Sequence, residues 1–492
     1  MGALDAVKKG IRNFLEIKEP QGLQITIEQY FTHDAELFRD RLWYRGQAEE
    51  LSELYQQMPH QIGHNYFWAA RPTRGMNIRK IHTGLPALIV DTLADISTDD
   101  LDSIELERQT EWDAIADDNN FKKLLKGAVV DCLWSGDGAW KWSVDTDISP
   151  FPIIEFFDAS RVDYDVERGR LIAVIFKTKK EFKGKCYTLK ERYDKHGITY
   201  KLCRDDGQEV DMEQFPETAQ LVPVVNQGEF MMALPMMFKQ SKKYTGRGKS
   251  IYDGKLDAFD SYDEVWSQWM LALRKGQIKT YIPDALLPRD PYTGEVKQGN
   301  MFDNDYIATG SDMREGVDNK ITYTQGEIQH EALLQTYVTA LDLCLQGLIS
   351  PSTLGIDMKK LDNAEAQREK EKTTLYKRNQ IVEVLEEVIP QIVNISLQVY
   401  DSMSNRPSKE QEVTITFGGY ANPSFEAQVE TVGKAAVAGI MSIEAQVDEL
   451  WGDSRDADWK KEEVKRIQDE RGILEVDPPA VNIDAGGVTN GR

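Results

Sequence analysis

The chain has 492 residues and a formal net charge of −23, with 41% hydrophobic and 29% charged residues. A chain this long requires several packed layers or sub-domains, and the composition is that of a folded protein rather than a disordered one. Such an acidic surplus excludes nucleic-acid binding spread over the whole surface, which rests on Lys and Arg neutralising phosphates, so any such contact has to be local.

Cys132, Cys186, Cys203 and Cys344 show no CxxC spacing, which indicates neither a disulfide framework nor a cysteine zinc site and suits a reducing compartment. There is no apolar run of about 18 residues, the length a spanning helix needs. LPALIV, residues 85 to 90, stops at Asp91, so no membrane span is expected.

The N-terminal MGALDAVKKGIRNFLEI places Leu4, Val7, Ile11 and Phe14 at helical spacing and reads as a docking helix; it lacks the apolar core of a secretion signal. From residue 24 to about 130 the pattern is helical, with HDAELFRDRLWYRGQAEELSELYQQM and GLPALIVDTLADIS as amphipathic segments. Near Trp134 the texture changes. Apolar and polar residues alternate between Gly and Asp turns, and a β-meander is predicted over residues 138 to 225.

A basic run, KQSKKYTGRGKS (239–250), precedes a long helix in which Leu256, Phe259, Tyr262, Trp266, Trp269 and Leu273 recur at three and four. Residues 275 to 324 read again as strand and turn, a small insertion in a helical hairpin. The second hairpin helix, GEIQHEALLQTYVTALDLCLQGLI, ends at Ile349 because Ser350-Pro351 disfavours continuation. Asn363 to about Met403 can run as one helix with a kink at Pro390. A short strand at 413–417, two or three helices over 425–471 and a low-complexity tail complete the chain, which carries no internal repeat.

Several motifs tempt a catalytic reading. Gly248-Lys249-Ser250 ends like a phosphate-binding loop, but that pattern needs glycine where Lys243 stands, and a basic turn leading into a helix explains it better. His60 and His64 have i, i+4 spacing, yet Gln61 replaces the glutamate base and Pro59 and Gly63 oppose a helix. Asp163 and Asp165 form a DxD, which beside VERGRLIAV reads as a solvated hairpin rather than a metal site. No catalytic residue, metal or cofactor is expected. The basic run 239–249 keeps three readings: contact with DNA, contact with an acidic neighbouring subunit, or a solvated surface, and the acidity of the chain favours the last two.

The order of elements, together with GDGAWKW (136–142), GRGKSIYDGKLDAFDSYDEVWSQW (246–269), and GLISPSTLGID followed by NAEAQREKEKTTL (347–375), resembles the portal proteins of long-tailed bacteriophages, of the type found in phages of Gram-positive hosts. The likeness spans most of residues 24 to 470. It implies an α+β, mostly helical portal fold in a homo-oligomeric ring, typically of twelve subunits, at one capsid vertex of the virion, after assembly in the host cytoplasm.

On that resemblance residues 1–245 are the wing and the helices at 246–274 and 326–349 the stem. Residues 275–325, a small α/β element, are the clip that meets terminase and head-completion or adaptor proteins, with Pro288, Arg289, Tyr292, Asp303 and Tyr306 as candidate contacts. Residues 350–362 are the tunnel loop, 363–403 a long inner-wing helix, 404–476 a C-terminal strand and crown helices, and 477–492 a flexible tail. Major capsid and scaffolding proteins are further implied partners.

Double-stranded DNA passing through such a ring must not settle into a deep electrostatic well. Acidic walls with one narrow basic ring meet that need. Lys359 and Lys360 are the candidates for the ring; the alternative is that they face solvent or pair with Asp357 and Asp362. Two other functions compete: a different ring-forming head or tail protein, and a nucleotide-dependent motor using GRGKS.

Overall fold

The computed structural model describes residues 31–58, 65–71, 78–182, 184–214, 217–225, 230–287, 289–296, 306–310, 320–356, 364–418, 425–451 and 457–470. The chain divides into two units, Met1–Thr416 and Phe417–Arg492.

The first unit opens with helices. α1 (His33–Arg45) starts where Thr32 accepts from the Ala35 N–H and stops at Gly46, whose φ of +70° supplies the left-handed turn of a helix C-terminus. α2 (Ala48–Gln57) follows. α3 (Leu85–Thr98) carries Pro86 in its first turn, where a missing N–H costs nothing. β1 (Leu101–Glu105) then leads to α4 (Gln109–Asp118) and α5 (Phe121–Ser135). The expected helical layer is present, but β1 interrupts it, paired with β14 (Thr414–Phe417) at the end of the unit. A five-residue strand completed by a partner so distant in sequence leaves little local signal.

The expected meander divides into two sheets. β2 (Asp137–Ser143) and β3 (Ile153–Asp158) pair antiparallel, and β10 (Ala233–Met237) returns to the other edge of β2 with Leu234 opposite Trp140. β4 (Val162–Glu167), β5 (Arg170–Phe182), β6 (Lys185–Asp194), β7 (Gly197–Arg204) and β8 (Glu209–Val210) form the second sheet, with β9 (Val224–Val225) also on β7. Ala139, Phe157, Val174, Phe176 and Tyr193 form one buried cluster between the sheets.

Lys141 crosses this core. Its ammonium lies 2.7 Å from Glu191 and within 6 Å of the rings of Phe157, Phe176 and Tyr193, so a buried charge is both paired and cradled by aromatic faces.

After the basic run come α6 (Leu256–Lys275), β11 (Lys279–Pro283), β12 (Tyr306–Thr309), β13 (Thr322–Thr324) and α7 (His330–Leu345). α8 (Ala364–Met403) continues through Pro390 as one helix, and the Asn394 side chain donates to the Pro390 carbonyl at 3.1 Å. Three contacts clamp α8 to the helices and sheet that precede it in the first unit. Arg378 donates to the Ile96 carbonyl and to Asp100, the Trp142 indole donates to Ser396 at 2.8 Å, and Asp401 receives both terminal nitrogens of Arg108 at 2.8 Å.

The second unit consists of α9 (Phe425–Val437), α10 (Ile443–Trp451) and α11 (Ala457–Glu470) among its described residues. Trp451 packs edge-on against Trp459 with centroids 5.4 Å apart, and Lys460 pairs with Asp448 at 2.7 Å.

Candidate functional site

Two glycine motifs far apart in sequence meet at the foot of α6. α5 ends at Gly136 with φ +96°, which turns the chain into β2, and Asp137 begins that strand fully buried. The Asp137 carboxylate accepts the Gly248 N–H at 2.6 Å and lies 3.4 Å from Arg247. Burial pushes this carboxyl above the usual range, against the pull of Arg247 and the Gly248 N–H. Arg247 also donates to the carbonyls of Ala159 and Val162 and lies over the Tyr164 ring, so it is bound to structure on three sides.

The backbone of GRGKS is engaged within the protein. Lys249 N–H donates to the Lys239 carbonyl, Ile251 N–H to the Leu133 carbonyl, and the Ser250 hydroxyl to the Trp134 carbonyl. A phosphate-binding loop needs its N–H groups turned toward the ligand. Here those of Gly248 and Lys249 face protein acceptors, and the segment is the turn that leads into α6.

Two carboxylates then fix the lower half of α6. Asp260 accepts from the N–H groups of Phe67 and Trp68, and Asp263 accepts from Thr83 N–H, Thr83 Oγ1 and the Trp68 indole and lies 2.6 Å from His82 Nδ1. Asp260 is 5% exposed, and burial raises its pKa to about 6 despite the two N–H donors. The sequence reading missed both residues. The available signal was four acids in DAFDSYDEVW, two of which, Asp260 and Asp263 at i and i+3, lie on the face that also carries Phe259 and Tyr262.

Beyond this anchor α6 pairs with α7. Tyr262 and Tyr337 join hydroxyl to hydroxyl at 2.5 Å, and Trp266 and Trp269 pack on the Tyr337 ring. The apolar stripe predicted on α6 is buried at Leu256, Phe259 and Tyr262 and opens to 43% exposure at Leu273. At the far end β11 is central, parallel to β12 and antiparallel to β13, with a 3-10 turn at Asp284–Leu286.

Arg289 pairs with Val296 in a turn and donates to the Gly294 carbonyl at 3.2 Å; Tyr292, within that turn, is 95% exposed. Tyr306 sits opposite Thr280 on the small sheet. Pro288 and Asp303 lie outside the described residues.

The segment after α7 is held before it departs. Ser350 N–H donates to Thr374 Oγ1 on α8 at 2.8 Å, Ser350 and Ser352 share a hydroxyl contact, and Ile356 N–H closes back on the Pro351 carbonyl. Ser350 and Thr374 are both buried. Lys359 and Lys360 lie beyond this turn, outside the described residues, as do His60 and His64. Asp163 and Asp165 are each ion-paired, to Lys177 at 3.0 Å and to Arg192 at 2.6 Å, so cross-strand lysine and arginine occupy the charges a metal would need.

The family described as "Phage portal protein, SPP1 Gp6-like" matches residues 35–472. The chain belongs to this family of phage portal proteins. Among curated proteins there is no significant match. The chain is similar to a protein of the virion of a native gene transfer agent particle, at 11% identity over 76% of this chain and 93% of that one, with a TM-score of 0.38. It is also similar to one from the neck of the native particle computed with C12 symmetry, at 12% identity over 78% and 96%, with the same TM-score.

Within the family match the three motifs read from the sequence have distinct structural duties. GDGAWKW and GRGKS pack on each other, and the SPST segment is the buttressed turn at Thr374.

Proposed function

We propose that this portal protein assembles as a homo-oligomeric ring, twelve-fold as is typical of the family, at one vertex of the virion capsid. It serves as the non-enzymatic conduit and docking platform through which double-stranded DNA is packaged and ejected. Residues 1–245 are the wing, α6 and α7 lie in the stem segments 246–274 and 326–349, and residues 275–325 are the clip. The tunnel loop is 350–362, the inner-wing helix 363–403, the C-terminal strand and crown helices 404–476, and the tail 477–492.

The observation that carries this reading is the family match over residues 35–472. The hairpin supports it. Two packed helices, anchored at one end by Asp260 and Asp263, end in a small sheet with an exposed tyrosine, as a projecting docking element requires. Pro288, Arg289, Tyr292, Asp303 and Tyr306 are the proposed contacts for terminase and head-completion or adaptor proteins; major capsid and scaffolding proteins meet the ring elsewhere.

Lys359 and Lys360 are the proposed phosphate contacts, sequence-independent and confined to one ring in an acidic chain. The anchored turn at Ser350–Thr374 supports this role by giving the loop a fixed point of departure.

Electron microscopy of the purified protein tests the assembly: a turbine-shaped ring with a central hole is expected, and a compact particle or an open filament overturns it. Replacing Lys359 and Lys360 by alanine should impair DNA packaging or retention, and unchanged amounts of packaged DNA refute the loop assignment. A motor enzyme would instead hydrolyse ATP unaided and lose that activity on Lys249→Ala.

A further inference from the structure

A cleft of about 190 Å³ lies between the GRGKS turn, the end of α7 and α8. Four lysines line it: Lys239, Lys249, Lys255 and Lys377. Its acidic lining residue is Asp253, whose carboxylate lies 2.5 Å from Lys243 and only 4.0 Å from Lys249. Lys255 donates to the carbonyls of Leu343 and Gln346, where it meets the negative end of the α7 dipole. Lys377 has a neutral partner, the Gln380 amide oxygen at 3.2 Å.

Among the described residues Lys239 and Lys377 therefore have no carboxylate within ion-pair distance, and Lys249 has one only at its limit. Burial, with Lys239 and Lys249 beside it, pushes Lys377 below the ordinary lysine value. The chain has 82 acidic and 59 basic residues, yet among the described residues Asp253 is the acid lining this cleft and it lies closer to Lys243 than to Lys249.

We propose that the cleft is a binding site for a phosphate-class oxyanion. A carboxylate would offset one of the three ammonium groups at Lys239, Lys249 and Lys377. Phosphate carries about two negative charges near neutral pH and presents several acceptor oxygens to donors arriving from different directions. The volume holds such an ion with a few waters, each needing about 30 Å³. Aliphatic walls from Leu133, Ile251 and Ile381 lower the local dielectric and strengthen each charge-assisted bond. Because Lys249 precedes α6 and Lys377 sits on α8, a bound anion would tie the foot of the hairpin to the long helix.

Equilibrium dialysis of the full-length protein against labelled inorganic phosphate, at constant ionic strength in chloride, tests the site. Saturable binding at one ion per chain is expected. Lys377→Met and Lys239→Met should each weaken it about tenfold, the loss of one charge-assisted hydrogen bond, whereas Lys377→Arg should retain it. Displacement by a short DNA duplex, whose phosphodiesters carry one charge each but follow one another along the strand, would identify a run of backbone phosphates as the source, and resistance to it a free ion.

Three results would overturn the proposal: no saturable binding, binding as tight as the parent's in both methionine variants, or binding by the monomer that is lost in the assembled ring. The last would give the cleft to a carboxylate of a second copy.

Discussion

Gly136 and Gly248 are in backbone contact: a Cβ on Gly248 would lie 2.0 Å from the Gly136 carbonyl oxygen, and a Cβ on Gly136 would lie 2.8 Å from that of Gly248. The glycines of GDGAWKW and GRGKS thus let two chain segments approach more closely than any side chain permits. Gly136 additionally sits at φ +96°.

Gly248→Ala is therefore expected to destabilise the first unit by about 1–3 kcal/mol or more, as overpacking against rigid backbone does. Gly127, inside α5 with open space around it, is the control, and Gly127→Ala should stabilise by about 0.5–1 kcal/mol. Thermal unfolding midpoints of the two variants against the parent check the contrast.

The Asp260 pKa, raised by burial from the ordinary 3.8 to about 6 in the folded state, gives a signed pH dependence. Between these values the folded chain holds a proton that the unfolded chain releases, so this group's contribution to stability falls as pH rises from about 4 to about 6 and is constant above. Asp40, also raised to about 6 by burial, acts in the same direction. His33, lowered to about 4 chiefly by burial and then by Arg247, acts in the opposite one: its contribution falls as pH drops from 6.5 toward 4. Asp260→Asn should remove about 2–3 kcal/mol of acid-side stabilisation. Comparing unfolding midpoints of variant and parent from pH 4 to pH 7 isolates it; parallel curves would refute the assignment.

Arg108 and Asp401 form a two-point ion pair in which Asp401 is 2% exposed. Arg108→Met leaves that carboxylate buried without its partner and should cost about 3–5 kcal/mol. Asp401→Asn removes the charge as well and should cost less, and Arg108→Met combined with Asp401→Leu should recover part of the loss. A double-mutant cycle on unfolding midpoints measures the coupling.

Ring assembly should weaken with salt. In a cyclic ring each interface joins unlike surfaces, and the start of the long helix, NAEAQREKEK, alternates charge in a way that suits a complementary face. Sedimentation at low and high ionic strength is expected to show a shift toward smaller species at high salt; an unchanged oligomer would contradict the electrostatic account.

The helical hairpin was legible because its periodicity is local: Leu256, Phe259 and Tyr262 repeat at helical spacing and are buried, although α7 ends at Leu345, four residues before the expected Ile349, with Gly347 at φ +76° beyond it. The candidate site was legible only in part. Tyr292 carries no periodic signal, and its exposure comes from the turn that Arg289 and Val296 close. Asp263 looked like one acid among many in an acidic helix, and only the packed segment carrying Trp68, His82 and Thr83 makes it an anchor.

Sequence alone determined the class of each long element, the reading of GRGKS as a turn rather than a phosphate loop, and the family, since these depend on spacing and on motifs read in order. Tertiary structure decided what those motifs do. Gly136 meets Gly248, β10 completes the sheet of β2, and Lys239, Lys249 and Lys377 gather in one cleft. Each is a contact between segments distant along the chain, and no local propensity encodes such a contact.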